Sequence, residues 1–342
     1  MRPMLHHLKA LCALPGVSGD EGAVRDYILR AVLPYAEPTV DVLGNVLVVK
    51  KGRQTPEKTI LLTAHMDEVG FIVTFVTGEG FLKFAPVGSI DPRILPGTRL
   101  RIGPAGVPGV VGVKPVHLTT ADERGRVSAI EELYIDIGVS NADAAKELVA
   151  LGDTVCFDDA VSEMGNCLTA KAIDNRIGCA VLLQLISEDL PVDVHFVFTV
   201  QEEVGSRGAL TAGFQFRPDV ALILEGTTAA DFPGVAPDKQ VCQVGGGVVI
   251  PFMDGGTMYD RGLYRQITSL AERLAIPWQT KSLIAGGTDG ASIQRSGAGA
   301  RVAALAAPVR NLHTGCNVAN VDDMEHLLAL TRAVLAELGA PS

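Results

Sequence analysis

The chain has 342 residues, 47% of them hydrophobic, with 37 glycines, 19 prolines and only 5% aromatics. That excludes a disordered chain and points to two domains, or one large α/β unit carrying an insertion. Its 29 Lys and Arg against 39 Asp and Glu give a net charge of −10, which disfavours partners such as nucleic acid or anionic membrane and fits a soluble cytoplasmic enzyme.

His6, His7 and Lys9 interrupt the apolar residues of the first segment, so it does not read as a signal peptide or an anchor. No later stretch reaches the roughly 18 uninterrupted apolar residues that a membrane-spanning helix needs. Cys12, Cys156, Cys167, Cys179, Cys242 and Cys316 are scattered, with no C-x-x-C pair. That spacing argues against structural zinc and disulfides, and for reduced, mostly buried thiols.

In chain order, two short helices open the sequence. Ser18 and Glu21 fit a capping box before a helix with Val24, Ile28, Ala31 and Val32 on one face. Residues 45–50 and 59–65 read as strands, the second a continuous apolar run suited to a sheet covered on both faces. Between Phe84 and Val116 lie six of the 19 prolines, interleaved with glycines. This is a pattern of short strands and turns that predicts a small β-barrel or sandwich. A helix is predicted near 141–150, and the polar run 119–128 is predicted as a mobile loop.

From Leu168 strands and helices alternate. A helix follows Asp174, a strand covers 194–200, and a short helix follows Gly205. A strand at 221–225, a helix at 264–274 and a strand at 281–284 come next. A helix after Asp289, a strand at 300–307 and an amphipathic helix at 322–338 close the chain. The fold class is therefore α/β, a three-layer sandwich with a mostly parallel central sheet. Its two parts, residues 1–68 and 165–342, are separated by an inserted β-rich domain, 69–164.

No phosphate-binding loop, dinucleotide fingerprint or G-x-S-x-G nucleophile elbow occurs. What stands out is ionisable residues at five strand ends, the edge where open α/β sheets bind ligands. They are His65 with Asp67, Asp174 in Asp174-Asn175-Arg176, the pair Glu202-Glu203, Glu225, and His313. Singly, each has a plain structural explanation: a satisfied core histidine, a helix cap, a solvated face. Together at strand ends they point to chemistry. Two adjacent carboxylates closing a buried strand are costly unless a positive charge lies nearby, and Asp67 is placed to hold the unused ring nitrogen of His65.

Imidazole and carboxylate together suit zinc, cobalt or manganese. A co-catalytic pair about 3.5–4 Å apart needs a bridging carboxylate and terminal ligands on each side. Three ligand carboxylates and a hydroxide would neutralise two divalent ions, leaving one carboxylate free as a general base.

The segments AHMDEVG, AIDNRIG, QEEVGSRGA, LILEGTTAADFPG, GGTDGASI and NLHTG occur in the order seen in TET-type dinuclear metallo-aminopeptidases, which the whole chain resembles. That family includes bacterial glutamyl aminopeptidases and archaeal deblocking aminopeptidases. The resemblance implies a site with two divalent metal ions per chain. His65 and Glu225 would hold one ion, Glu203 and His313 the other, and Asp174 would bridge them. Glu202 would be the general base and Asp67 the residue orienting His65. It also implies a PDZ-like inserted dimerisation domain, assembly of dimers into a hollow dodecamer, and hydrolysis of N-terminal residues from short peptides. Two positions depart from the common pattern: Asn175, where many members have aspartate, and Cys316-Asn317, where relatives commonly place a glutamate. A related amidohydrolase, such as a deacylase or carboxypeptidase, and a non-catalytic assembly homologue are the rival readings. Substrate preference is open; a glutamyl-preferring enzyme needs a cation in its side-chain pocket, for which Arg93, Lys114, Arg124, Arg261 and Arg295 are candidates.

Overall fold

The computed structural model describes residues 3–340. Helices α1 (Pro3–Cys12) and α2 (Gly22–Val32) precede strands β1 (Pro38–Val40), β2 (Val46–Lys50) and β3 (Ile60–His65). Strands β4 (Gly70–Val76), β5 (Leu82–Val87), β6 (Arg99–Ile102) and β7 (Val107–Gly112) follow, then helix α3 (Ala121–Arg124) and strand β8 (Tyr134–Asp136). Helix α4 (Ala142–Lys146) and strand β9 (Thr154–Phe157) complete this group. The chain continues through β10 (Ser162–Met164), β11 (Cys167–Ala170), α5 (Ile173–Ile186), β12 (Val194–Thr199), α6 (Arg207–Phe216) and β13 (Val220–Thr228). It ends with β14 (Val248–Val249), α7 (Arg261–Arg273), β15 (Trp278–Gln279), α8 (Gly290–Gln294), β16 (Arg301–Arg310), β17 (Asn317–Asn320) and α9 (Val321–Leu338).

The main sheet has the order β1-β2-β12-β3-β13-β16-β17-β11-β10, with β14 and β15 attached beside β16. Its centre, β12-β3-β13-β16, is parallel, as is the short β14-β15 pair; both flanks of the main path are antiparallel. The sheet is thus mixed, with parallel pairing where helices cover both faces. Along β3, Ile60, Leu62 and Ala64 enter the core shared with α1, α2, α5 and α9, while Leu61 packs on the opposite side with Ala209 and Ala212 of α6 and Ile293 of α8. That is why the 59–65 run carries no polar alternation.

The strands β4-β5-β8-β7-β6-β9 close into a six-stranded antiparallel barrel. Its core is built around Phe71, whose ring meets Phe84 and Phe157 edge-on at centroid distances of 5.1 and 5.7 Å.

Local predictions differ in five places. Ser18 and Glu21 make no capping box: the Ser18 hydroxyl donates to Asp67, and the Glu21 carboxylate accepts from the Gly19 and Gln201 amides. Residues 281–284 form no strand; the paired residues are Trp278 and Gln279, because Lys281 and Ser282 turn away into a cavity wall and a loop bond to Val241. The helix near 141–150 has only five residues, capped by Asn141. The run 119–128 holds the one-turn helix α3, with Thr120 and Glu123 forming a capping box of their own. Glu225 does not end its strand, which continues to Thr228 beside β16. No helix among the described residues is long and apolar enough to cross a membrane.

Candidate metal centre

The parallel strands converge on one cavity of about 250 Å³ at their C-terminal ends. β3 delivers His65, the turn after β12 delivers Glu202 and Glu203, β13 carries Glu225, and the loop between β16 and β17 carries His313. Asp174 sits at the start of α5, and that helix lies close on the sheet through Gly178. A Cβ there would come within 2.7 Å of both Ala64 and the Leu224 carbonyl oxygen, so a larger residue would lift Asp174 off its place.

His65 Nε2 lies 3.4 Å from Asp174 Oδ1 and 3.6 Å from Glu225 Oε2. His313 Nε2 lies 3.3 Å from Glu203 Oε1 and 3.7 Å from Asp174 Oδ2. The result is two triads, His65-Asp174-Glu225 and Asp174-Glu203-His313, each with ligand atoms within 4.8 Å of one another. Asp174 belongs to both, one oxygen facing each histidine. Asp174 Oδ1 and Glu225 Oε1 are buried without a hydrogen-bond partner. Clustered, desolvated carboxylate oxygens of this kind need cations, and a set of imidazole and carboxylate donors without thiolate fits divalent ions such as zinc.

The surrounding residues orient the donors. Asp67 is fully buried and accepts hydrogen bonds from the Ser18 hydroxyl (2.6 Å) and from the backbone amides of Glu202 (3.0 Å) and Glu203 (3.1 Å). Its Oδ1 also lies 3.4 Å from His65 Nδ1. One carboxylate therefore ties β3 to the turn bearing both glutamates. His313, at positive φ, has its Nδ1 2.8 Å from the Ser89 carbonyl oxygen. A carbonyl only accepts, so Nδ1 carries the proton and Nε2 is left facing the carboxylates. Ser89 lies just beyond β5, so the barrel strands reach into this centre.

The two departures are accounted for. The Asn175 side-chain amide donates to the Leu224 carbonyl oxygen (2.7 Å) and its oxygen accepts from Gly178 N (3.1 Å), pinning α5 to β13. Cys316 Sγ lies 2.8 Å from the Thr169 hydroxyl, and the Asn317 amide donates to the Asn311 carbonyl oxygen, so both shape the His313 loop from outside the donor set.

Electrostatics follow from burial among like charges. Burial drives the Glu202 carboxyl well above the usual carboxylate range, with His65 opposing and Asp289 and Glu203 adding to it. Glu225 is raised in the same way. Burial would lower both histidines, but Glu225, Asp174 and Asp67 outweigh it at His65, while Asp174 and Glu203 push His313 up to about 11. Asp174 itself is held below its ordinary value, since the two histidines overcome its desolvation. A fully buried neighbour not foreseen from sequence, Asp289, accepts a 2.5 Å hydrogen bond from the Thr199 hydroxyl and is raised to about 6, chiefly by burial.

A family model described as M42 glutamyl aminopeptidase matches residues 44–330. The chain belongs to the M42 peptidase family. It is accordingly a peptide hydrolase of the aminopeptidase kind. A protein of Acetivibrio thermocellus is 37% identical, over 96% of this chain and 97% of its own length. The lysyl aminopeptidase of Pyrococcus furiosus is 30% identical, over 97% of this chain and 96% of its own. The solved TET1 peptidase of Pyrococcus horikoshii, which can assemble into a tetrahedron or a large octahedral shell, superposes with a TM-score of 0.87 at 32% identity. That match covers 98% of this chain and 99% of that one.

None of the five cations considered for a side-chain pocket lines this cavity. Arg93 pairs with Asp91, Lys114 pairs with Glu123, Arg295 donates to the Ala291 carbonyl oxygen, and Arg124 and Arg261 are exposed. The cation that does line it is Lys281, which the expected strand at 281–284 had concealed.

Proposed function

We propose that this chain removes N-terminal residues from short peptides at a two-metal centre in which His65 and Glu225 hold one divalent ion, Glu203 and His313 hold the other, and Asp174 is shared. The observation that carries this reading is Asp174, whose two oxygens face different histidines at 3.4 and 3.7 Å. Zinc or cobalt suits this donor set best, with manganese third. When bound, two such ions supply Lewis acidity toward the scissile carbonyl and a water acidic enough to ionise near neutral pH.

The chain's own residues do the rest. Glu202 lies in the same cavity, outside both triads, where its carboxylate is placed to accept a proton from the attacking water and return it to the leaving amine. Asp67 holds Glu202 and Glu203 by their amides and fixes the ring of His65. The Ser89 carbonyl holds the tautomer of His313.

Residues 1–68 and 165–342 form the catalytic unit on this reading, and 69–164 is an inserted dimerisation domain through which dimers build a dodecamer. Exposed Phe75, Val116, Leu118 and Leu151 on the insertion support a self-association surface. Six unpaired cysteines support a reducing, cytoplasmic setting.

The test uses metal-loaded protein and one peptide in three forms: free, N-acetylated and C-terminally amidated. Mass spectrometry should show stepwise loss of N-terminal residues from the free and amidated forms and an intact acetylated form. Deacetylation, or shortening from the C-terminus, would replace this reading with a deacylase or carboxypeptidase.

A further inference from the structure

Among the described residues, Lys281 is the one ammonium on the wall of a cavity otherwise rich in carboxylates. It is more than nine-tenths buried, with 7% of its surface exposed. Its Nζ makes a single hydrogen bond, to the Ala285 carbonyl oxygen at 3.2 Å. Among the described residues no carboxylate lies within ion-pair distance of it, in contrast to Lys171, which is equally buried but bonded to Glu68 at 2.5 Å. An ammonium carries three donors, and burying one without an anion is costly. The charges that face it, Asp254, Glu225 and Asp174, stand off at longer range, and the neighbouring Cys242 thiol is pushed up to about 12 by burial and stays neutral. Burial also lowers the proton affinity of Lys281 itself, which an incoming anion would restore.

Nothing bulky shields the ammonium within the loop it bonds to. Gly286 and Gly287 follow Ala285 in the same wall, Gly286 at positive φ with no atom near where a Cβ would stand. Family membership leaves the choice of residue open, because the family description is glutamyl and the Pyrococcus furiosus relative is lysyl.

We infer that Lys281 is the specificity residue of this cavity, its free donors receiving the side-chain carboxylate of a substrate whose N-terminal residue is glutamate or aspartate. This rests on the aminopeptidase reading above and names its substrate class. A neutral side chain leaves the ammonium unmatched, and a lysyl or arginyl one places like charges together, so the order is glutamyl and aspartyl, then neutral, then basic.

The experiment measures kcat/KM of the metal-loaded enzyme on glutamyl, glutaminyl, leucyl and lysyl anilides, for the natural chain, Lys281→Met and Lys281→Glu. The natural enzyme should favour glutamyl over glutaminyl, its uncharged isostere, by about 30-fold or more. Lys281→Met should bring that ratio to near one. Lys281→Glu should raise the lysyl-to-glutamyl ratio above that of the natural enzyme, a gain that misfolding cannot produce. Equal use of glutamyl and glutaminyl substrates by the natural enzyme overturns the inference, as does a preference that survives in Lys281→Met.

A carboxylate could also come from the C-terminus of a dipeptide. Faster cleavage of leucyl-leucine than of its amide, lost in Lys281→Met without any side-chain preference, would assign Lys281 to that group and overturn the side-chain assignment. If no substrate is turned over, the aminopeptidase reading fails by itself. Lys281 is then judged by calorimetry on the same protein: free glutamate should bind about tenfold tighter than glutamine, and equal binding overturns the inference.

Discussion

Replacing Asp67 by asparagine tests how the donors are held in place. The carboxylate accepts three hydrogen bonds, from Ser18, Glu202 N and Glu203 N, and its Oδ1 also faces His65 Nδ1. An asparagine has one acceptor oxygen, so whichever way it turns, its NH₂ faces a backbone N–H. At least one buried donor loses its partner, at about 1–3 kcal/mol, and the remaining bonds lose their charge assistance. Together these give a destabilisation of about 2–4 kcal/mol. Because the same residue orients His65 and both glutamates, metal affinity should fall about 10–100-fold as well. Chelator competition measures affinity and chemical denaturation measures stability, with kcat followed at saturating metal. Wild-type metal affinity and kcat in Asp67→Asn would show that Asp67 orients nothing, and would refute the reasoning.

Metal loading should release protons. Both histidines are raised, His313 to about 11, so the metal-free centre is protonated near neutrality, whereas ligating imidazoles are neutral. Calorimetry in buffers of different ionisation enthalpy should find net proton release on metal loading, and none would contradict the proposed donor set. By the same linkage, His313 stabilises the metal-free fold fully below pH 6.5, and that contribution is lost as pH rises towards about 11. Denaturation of metal-free protein across this window should show stability falling with pH; a rise would be the wrong sign. Lys171→Met should lower stability by about 3–5 kcal/mol, since it strips Glu68 of its closest partner and the Leu14 carbonyl of its donor, leaving Arg176 3.5 Å away. A loss under about 1 kcal/mol would show the cluster to be solvated. Finally, Cys12, Cys179 and Cys242 have thiols raised to about 12, and Cys156 to about 11, by burial. Iodoacetamide should label exposed Cys316 first and leave those four untouched in folded protein, with peptide mapping as the check.

Much of the site was legible because it lies at the ends of strands with strong local signals. The uninterrupted 59–65 run announces a strand covered on both faces, and the abrupt appearance of His65 and Asp67 after it marks the ligand edge. Glu202 and Glu203 stand out for the same reason, as paired acids closing an aliphatic strand. The missed features are contacts made across long stretches of sequence. Ser18 looks like a helix cap until Asp67, 49 positions away, proves to take its hydroxyl. Ser89 carries no signal at all, since it acts on His313 through its backbone carbonyl across 224 positions. Lys281 sits among residues that favour a strand, and only the cavity shows that its side chain turns inward. Glu225 lies inside its strand because β13 keeps pairing with β16 through Gly226 and the two threonines, which local hydrophobicity does not report.

The central claim is that two ions share Asp174 and that Glu202 moves the proton. Metal content and turnover of Glu202→Gln, measured on the same sample, test it most directly. The account predicts about two metal ions per chain, as in the natural protein, with turnover reduced about 10²–10⁴-fold. Near-normal turnover with both ions retained would contradict it, and so would a natural protein that saturates below two ions per chain.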